Sequence, residues 1–270
     1  MTSGFAEVIG DPIAHSKSPA IQQFWLEMAG LDFTYRATQV TRAGLGEYLR
    51  ERRQDPDWRG CNVTMPLKLD AVIQADDASD RAVAAGAANI LVPTDGKLLA
   101  GNTDVGAVLQ LLGPLLAKTP GGGITLLGNG GAARAVLIAL RMLNIEDVRI
   151  QARDTAAAYK LAVEFGHGQE PRPFTAPIES HGLINATPMG MPGVASISMD
   201  ISAMPATGWV FDMVTEPAET PLLAAAKARG LGTIDGLAML IEQAADSFRL
   251  LFGKDAPRQY DAQLMKLLRP

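Results

Sequence analysis

The chain has 270 residues, more than one typical domain needs, so its length favours two domains. A net charge of −5 argues against a nucleic-acid surface, and no apolar run is long enough for a membrane span. One cysteine, Cys61, excludes an internal disulfide, and with three scattered histidines it suggests no metal site. We therefore expect a cytoplasmic protein that binds a small molecule and acts as a monomer or homodimer.

Residues 1–101 alternate short apolar runs with amphipathic segments. Ser18 and Pro19 are typical of a helix start, with Ser18 as the N-cap, and Gly30 of a helix end. Asp95-Gly96 is a strong hairpin signal. In chain order we predict a strand at 5–9, the helix between Ser18 and Gly30, a strand at 31–35, a helix at 43–52, a strand at 60–63, helices at 67–74 and 79–85, and hairpin strands at 89–93 and 97–101.

The remaining residues continue the alternation and end in two helices. We predict a helix at 105–116, a strand opening at Ile124, strands at 148–151, 182–184 and 210–213, helices at 132–143, 156–164 and 221–228, and final helices at 236–252 and 257–268. This rhythm is typical of an α/β protein with a doubly wound parallel sheet. We expect one domain at 1–103, completed by 237–270 because the last helices return to it, and a second at 104–236.

A glycine-rich turn follows the apolar run that opens at Ile124. Glycines stand at 128, 130 and 131, and helix-forming alanines come next. Glycine permits a tight turn and close approach of the backbone, and the following helix N-terminus favours an anion. The spacing predicts a site for the pyrophosphate of a dinucleotide, and the alternative is a plain tight turn.

Polar side chains also stand where packing alone does not require them. Ser16 and Ser18 lie between the first strand and the first helix, where loops of an open α/β sheet collect ligands. Thr64 directly follows a strand. Lys68 lies in a first helical turn, where the helix dipole disfavours a cation. The alternatives are a helix cap for Ser18 and a solvated surface position for Lys68.

Asp104 stands next to the predicted start of a helix at Val105, so it is either an N-cap or a functional carboxylate. If it pairs with Lys68, the lysine is positioned to pass a proton to or from a hydroxyl while hydride moves at the carbon. The segment Ile184-Asn-Ala-Thr-Pro-Met-Gly190 is a strand end followed by a loop, and it is either a simple turn or part of the nucleotide site.

Five segments, in this order, resemble the shikimate dehydrogenase family, and the resemblance spans nearly the whole chain. They are Gly10-Asp-Pro-Ile-Ala-His-Ser-Lys-Ser-Pro19, Asn62-Val-Thr-Met-Pro-Leu-Lys68, Asn102-Thr-Asp104, Gly128-Asn-Gly-Gly-Ala132, and an ending made of Asp212-Met-Val214 with Asp235-Gly-Leu-Ala-Met-Leu-Ile-Glu-Gln243. Five ordered matches are far more specific than any one of them. The resemblance implies an N-terminal α/β substrate domain and a Rossmann-like dinucleotide-binding domain.

The resemblance also implies an activity, the reversible reduction of 3-dehydroshikimate or a close cyclic keto acid with NADP or NAD. Lys68 would be the catalytic acid–base group, and Asp104 would orient it and bind a ring hydroxyl. The other implied substrate residues are Ser16 and Ser18 for the carboxylate, and Thr64, Asn89 and Gln243 for the hydroxyls. The implied cofactor residues are Gly128, Asn129, Gly130, Gly131 and Ala132 for the pyrophosphate, Arg153 and Asp154 for the adenosine end, Thr187, Met213 and Gly236 near the nicotinamide, and Asp80.

Ala152-Arg-Asp-Thr-Ala-Ala157 departs from the family pattern, in which Asn-Arg-Thr and a second arginine hold the 2′-phosphate of NADP. Only Arg153 remains, and Asp154 beside it is able to accept from a ribose 2′-hydroxyl and to repel a phosphate. We expect NADP as the cofactor, with NAD as the alternative.

Three further departures concern the substrate. Thr215 stands where the family has a tyrosine, Glu216 replaces an asparagine, and Ile90 replaces a threonine. Each missing hydrogen bond costs about 1 kcal/mol, so the alternatives include an NAD-dependent quinate/shikimate dehydrogenase and a relative with weak shikimate activity. An alternative of another class is a non-catalytic ligand-binding protein on the same fold, against which the presence of both Lys68 and Asp104 argues.

Overall fold

The computed structural model describes residues 4–118, 121–167, 169–194 and 199–269. The chain divides into two compact units, Met1–Gly106 with Ile241–Pro270, and Ala107–Leu240. The domain limits expected from the sequence, after residues 103 and 236, lie three and four residues before the limits of these units.

The strands and helices alternate along most of the chain. The strands are β1 (Phe5–Gly10), β2 (Thr34–Gln39), β3 (Trp58–Val63), β4 (Asp77–Ala78), β5 (Ile90–Thr94), β6 (Lys97–Gly101), β7 (Ile124–Leu127), β8 (Val148–Gln151), β9 (Gly182–Asn185), β10 (Trp209–Asp212) and β11 (Gly232–Ile234). The helices are α1 (Ser18–Met28), α2 (Leu45–Arg52), α3 (Lys68–Gln74), α4 (Asp80–Ala85), α5 (Thr103–Lys118), α6 (Gly131–Met142), α7 (Thr155–Glu164), α8 (Pro221–Ala228), α9 (Gly236–Phe252) and α10 (Asp261–Leu268). The predicted α/β class is confirmed.

The first unit contains a mixed sheet with the strand order β2-β1-β3-β5-β6-β4. β1 pairs in parallel with both β2 and β3, so the loops that follow β1 and β3 leave the same edge of the sheet. β5 and β6 form the predicted antiparallel hairpin. Its turn residues Asp95 and Gly96 have φ angles of +50° and +76°, the combination that Asp-Gly tolerates.

The second unit contains a parallel sheet with the order β11-β10-β9-β7-β8. The chain adds β8 on one side of β7, and then β9, β10 and β11 in succession on the other. The order therefore reverses between β7 and β9, and in open α/β sheets ligands bind outside the carboxyl ends of the strands at such a point. The doubly wound Rossmann-like sheet predicted from the sequence is confirmed.

Two local predictions were wrong. The strand expected at 31–35 is β2 at Thr34–Gln39. β2 is an edge strand with mostly exposed side chains, so the apolar residues just before it gave a stronger strand pattern than the strand itself. Ser18 is not the N-cap of α1, because Lys17 takes that place and Ser18 is the first helical residue. The hydroxyl that meets the first turn belongs to Ser16, whose Oγ accepts from the Ser18 N–H at 3.3 Å.

The C-terminal helices pack on α1, as expected from the sequence. The Gln22 side chain donates to the Ala244 carbonyl at 3.0 Å, and Trp25 meets Phe248 edge to face with ring centroids 6.0 Å apart. All four of these residues belong to the first unit, as do the buried Leu264 and Leu268 of α10, so residues 241–252 of α9 together with α10 complete its core. Within the described ranges no helix has both the length and the apolar character needed to cross a membrane.

Glu7 is a fully buried carboxylate in β1 of the first unit. Its oxygens accept from Tyr48 at 2.9 Å and from Arg52 at 2.6 Å, with Arg36 and Thr38 as further donors. Burial by itself raises the pKa of Glu7, but the hydrogen bonds from Arg52, Thr38 and Tyr48 outweigh it and hold the pKa below the ordinary 4.5. The carboxylate therefore stabilises the fold in its charged form.

We expect Glu7→Gln to lower the free energy of unfolding by about 3 kcal/mol at neutral pH, because it removes the buried charge that pairs with Arg52, whose side chain is only 20% exposed. A lowered folded-state pKa contributes stability above the unfolded value, and that contribution is lost as the pH falls through the folded value. Urea titrations should thus show that the difference in unfolding free energy between the variant and the wild type becomes smaller below pH 4.5. The exposed Glu47→Gln is the control, and a gap that does not change with pH would contradict the assignment.

Candidate active site

The first unit brings Lys68 and Asp104 together. Lys68 is the first residue of α3, and Asp104 lies in the first turn of α5. Lys68 Nζ lies 2.5 Å from Asp104 Oδ2, and the two side chains are only 17% and 6% exposed. The carboxylate thus compensates for placing a cation at a helix N-terminus, where the dipole opposes it. A lysine held in this way is oriented, partly shielded from water and able to exchange a proton.

Asp104 is not used as a helix cap, because Asn102 takes that role. The Val105 N–H donates to Asn102 Oδ1 at 3.2 Å. The second oxygen of Asp104 accepts from Asn89 Nδ2 at 2.9 Å, and Asn89 Oδ1 accepts from the Thr103 N–H at 2.7 Å. Asn89 therefore orients the carboxylate that holds Lys68.

A buried polar network continues behind this pair. Asn89 Nδ2 lies 3.4 Å from Gln243 Oε1, and Ser247 Oγ donates to the Gln243 carbonyl at 2.9 Å. Asn62 Nδ2 donates to the same Ser247 hydroxyl at 2.8 Å, and Tyr35 donates to Asn62 Oδ1 at 2.7 Å. Sequence reasoning missed the roles of Ser247 and Tyr35. The only available signal was a serine one helical turn after Gln243.

Ser16, Ser18 and Thr64 lie at the same edge of the first sheet. A Cβ added to Gly10, the last residue of β1, would be 2.5 Å from Thr64 Cγ2, so the ends of β1 and β3 touch. The Asp11 N–H also donates to the Met65 carbonyl at 3.0 Å. Among the described residues no hydrogen bond links these three hydroxyls to the Lys68–Asp104 pair.

In the second unit the predicted glycine turn lies between β7 and α6. Gly128 has a φ of +103°, and a Cβ there would be 2.8 Å from Thr187 Cγ2, so this position requires glycine. Gly130 is the N-cap of α6 and offers no side chain to it, and a Cβ on Gly130 would meet no atom of the described residues within 4 Å. The first N–H groups of α6, around Gly131 and Ala132, thus adjoin open space beside Asn129 and suit an anion.

Arg153 and Asp154 follow β8, at the edge of the sheet. Arg153 is exposed. Asp154 is the N-cap of α7, and its Oδ1 accepts from the Ala157 N–H at 2.9 Å. Capping α7 is therefore by itself a sufficient structural role for Asp154, independent of any contact with a ligand.

Thr187, Met213 and Gly236 lie at the carboxyl ends of β9, β10 and β11. The Thr187 hydroxyl donates to Asn185 Oδ1 at 2.6 Å, and the Met213 N–H donates to the Asn185 carbonyl at 3.0 Å. A Cβ on Gly236 would overlap the carbonyl of Met213. Asp80, by contrast, is an exposed residue at the start of α4. It belongs to the first unit, whereas the other cofactor candidates belong to the second.

A glycine turn at the reversal point of a parallel sheet, together with a shielded lysine–carboxylate pair in another α/β unit, is typical of a two-domain dinucleotide-dependent dehydrogenase. Comparison with known families agrees. Residues 8–91 match the family described as "Shikimate dehydrogenase substrate binding domain", and residues 236–266 match "Shikimate 5'-dehydrogenase C-terminal domain". The chain belongs to the shikimate dehydrogenase family.

Individual relatives span the whole length. The shikimate dehydrogenase (NADP(+)) of Sphingopyxis alaskensis is 44% identical, over 98% of this chain and 97% of that protein. The crystal structure of shikimate 5-dehydrogenase from Thermus thermophilus, in complex with NADP(H) and shikimate, has a TM-score of 0.87 and 34% identity, covering 98% of this chain and 99% of that one. Quinate dehydrogenase from Corynebacterium glutamicum, in complex with NAD, has a TM-score of 0.84 and 28% identity, covering 99% and 100%.

Proposed function

We propose that this protein is an NADP-dependent shikimate dehydrogenase, which reversibly reduces 3-dehydroshikimate to shikimate. The observation that carries the proposal is the Lys68–Asp104 pair, which lies shielded from water in the unit that contains the match to the substrate-binding domain family. The full-length similarity to the Sphingopyxis enzyme supports the same substrate and cofactor.

The chemistry of the first unit follows from this pair. In the reduction, the Lys68 ammonium donates a proton to the carbonyl oxygen of the substrate as that oxygen becomes a hydroxyl. In the oxidation, the amine takes the proton back. Asp104 holds Nζ at one position before the reaction, which lowers the entropic cost of reaching the transition state. Ser16 and Ser18 are assigned to the substrate carboxylate, and Thr64, Asn89 and Gln243 to its hydroxyls.

The second unit is assigned to the cofactor, which when bound supplies or accepts the hydride. The fit rests on the turn itself: Gly128 lacks room for a side chain, Gly130 faces open space, and the N-terminus of α6 has no side-chain cap. These features match the pyrophosphate of a dinucleotide. The other residues that we assign to the cofactor are Asn129, Gly131, Ala132, Arg153, Asp154, Thr187, Met213, Gly236 and Asp80.

Arg153 is expected to decide the choice of cofactor. Arg153→Ala should raise the KM for NADP at least about tenfold and leave the KM for NAD unchanged, because only NADP carries the 2′-phosphate that a guanidinium binds. Asp154→Ser keeps a capping oxygen for α7 but removes a negative charge, so it should lower the KM for NADP severalfold. Steady-state kinetics with both cofactors measure these effects.

Arg141→Ala is the control for a general loss of positive charge, because Arg141 lies in the last turn of α6, at the end opposite the glycine turn. An Arg153 variant that loses NADP and NAD equally would contradict the phosphate role. Strong NAD activity in the wild type, together with an Asp154→Ser variant that gains NADP use, would favour the second candidate, an NAD-dependent quinate/shikimate dehydrogenase. The exposed Asp154 next to Arg153 is the observation behind that candidate.

Initial rates with purified protein test the proposal. Shikimate and quinate are each combined with NADP and NAD, and formation of the reduced nicotinamide is followed by its absorbance. Fast reduction of NADP by shikimate supports the proposal, and activity confined to NAD or quinate supports the second candidate. Binding of shikimate without turnover in any combination would instead indicate a non-catalytic binding protein.

We further propose that the protein works in the cytoplasm, as a monomer or a homodimer. Cys61 is fully buried in the core of the first unit, as expected for a thiol used only in packing. Sedimentation of the purified protein separates the two oligomeric states.

A further inference from the structure

A fully buried carboxylate, Asp212, ends β10 in the second unit. Its Oδ1 accepts from Asn185 Nδ2 at 2.8 Å and from the Val214 N–H at 3.1 Å, and its Oδ2 accepts from the Thr220 hydroxyl at 2.6 Å. The donors come from the end of β9, the loop after β10 and the start of α8. Burial raises the pKa of Asp212, and the three hydrogen bonds offset this only in part. Such a costly group needs a reason beyond packing.

The carboxylate fixes which way the amide of Asn185 points. Asn185 and Asp212 are opposite each other in the parallel pairing of β9 and β10. With Nδ2 committed to Asp212 and to the Met189 carbonyl at 3.2 Å, the oxygen of the amide must face the following loop. That oxygen accepts both the N–H of Thr187, at 3.1 Å, and its hydroxyl, at 2.6 Å. Asp212 thereby sets the position of Thr187 through Asn185.

Thr187 in turn touches the glycine turn. Its Cγ2 would lie 2.8 Å from a Cβ on Gly128, and its hydroxyl accepts from the Met189 N–H at 3.1 Å. Gly128 and Thr187 follow β7 and β9, the two strands between which the sheet order reverses. The chain of contacts therefore runs from a buried carboxylate to both loops at the predicted cofactor site.

We propose that Asp212 is a positioning residue for the cofactor, which acts through Asn185 to hold the Thr187 loop against the Gly128 turn. The inference rests on the proposed function, because it takes these loops to bind NADP. Asp212 does not touch the ligand. Its contribution is to keep two binding loops in one arrangement before the cofactor arrives, so that binding does not have to order them.

Asp212→Ala is expected to weaken NADP binding about tenfold, the scale of one lost charge-assisted hydrogen bond, both as Kd by calorimetry and as KM. The KM for shikimate should stay within about twofold, since the substrate is assigned to the other unit. Asp212→Asn retains an acceptor for Asn185 and should recover NADP binding to within about threefold of the wild type.

Ser180→Ala is the matched control. Ser180 is also buried, just before the opposite end of β9, where its hydroxyl bonds to Thr125 Oγ1 and the Gly182 carbonyl, each at 2.8 Å. This variant should lower the Tm as a buried hydrogen-bond loss does, with unchanged Kd for NADP. If Asp212→Ala is insoluble, Asp212→Val makes the same test, because an apolar side chain that fills more of the space than alanine still cannot accept from Asn185.

Weakened NADP binding in Asp212→Ala, or in Asp212→Val where the alanine variant is insoluble, but not in Ser180→Ala, supports the inference. Unchanged binding in the soluble Asp212 variant, or an equal loss in Ser180→Ala, overturns it while leaving the proposed function intact. A wild-type protein that binds no NADP contradicts the proposed function, and the inference with it.

Discussion

Lys68→Ala is expected to lower kcat for shikimate oxidation by about 10² or more, the usual loss when a positioned acid–base group is removed. The Kd for NADP should change little, because Lys68 belongs to the first unit and the glycine turn to the second. Steady-state kinetics and calorimetry on the same preparation measure both quantities. Near-normal turnover in this variant would contradict the assignment of Lys68 as the acid–base group.

Two further variants distinguish proton transfer by Lys68 from a role of its positive charge alone. Lys68→Arg keeps a cation able to pair with Asp104, but a guanidinium is not deprotonated in proteins, so this variant should be as slow as the alanine variant. Lys254→Ala removes an exposed lysine from the same unit and should leave kcat unchanged. If Lys68→Arg retained full activity, Lys68 would act through its charge alone.

Asp104→Asn is expected to lower kcat by about 10 to 10², with a fold close to the wild type. The amide occupies the same volume but removes the charge that holds Nζ of Lys68 at 2.5 Å, so the lysine loses its fixed position. Because both residues act on one proton, the double variant with Lys68→Ala should be no slower than Lys68→Ala alone. Kinetics of the two single variants and the double variant test this coupling.

The control for Asp104 is another carboxylate close to Lys68 in sequence. Asp70, two residues further along α3, pairs with the exposed Arg42 at 2.6 Å. Asp70→Asn should leave kcat unchanged, since it removes a carboxylate without touching the buried pair. Strictly additive losses in the double variant would show that Lys68 and Asp104 act independently.

The elements that were predicted best from the sequence are those whose backbone conformation depends on one or two residues. The positive φ angles of Asp95 and Gly96 make one hairpin turn, and the glycine at 128 makes the turn before α6. Both turns need a positive φ angle, which glycine adopts without a steric penalty and which aspartate tolerates. Residues 31–35 were misassigned because an edge strand buries little, so apolar residues beside it carry the stronger pattern.

The polar network could not be predicted, because its partners are far apart in sequence. Asn62 and Ser247 are separated by 185 positions, and Asn89 and Gln243 by 154. The pattern of a helix indicates which face is buried but not which hydroxyl meets which amide across the fold. The role of Asp212 was hidden for the same reason, since its partner Asn185 comes from the neighbouring strand.

The measurement that tests the central claim most directly is nuclear magnetic resonance of the product formed from 3-dehydroshikimate and NADPH deuterated at the transferred position. The account predicts shikimate with one deuterium on the carbon that bears the new hydroxyl, formed by the wild type and at least about 10²-fold more slowly by Lys68→Ala. Unchanged 3-dehydroshikimate after prolonged incubation, or a product without deuterium, would contradict it.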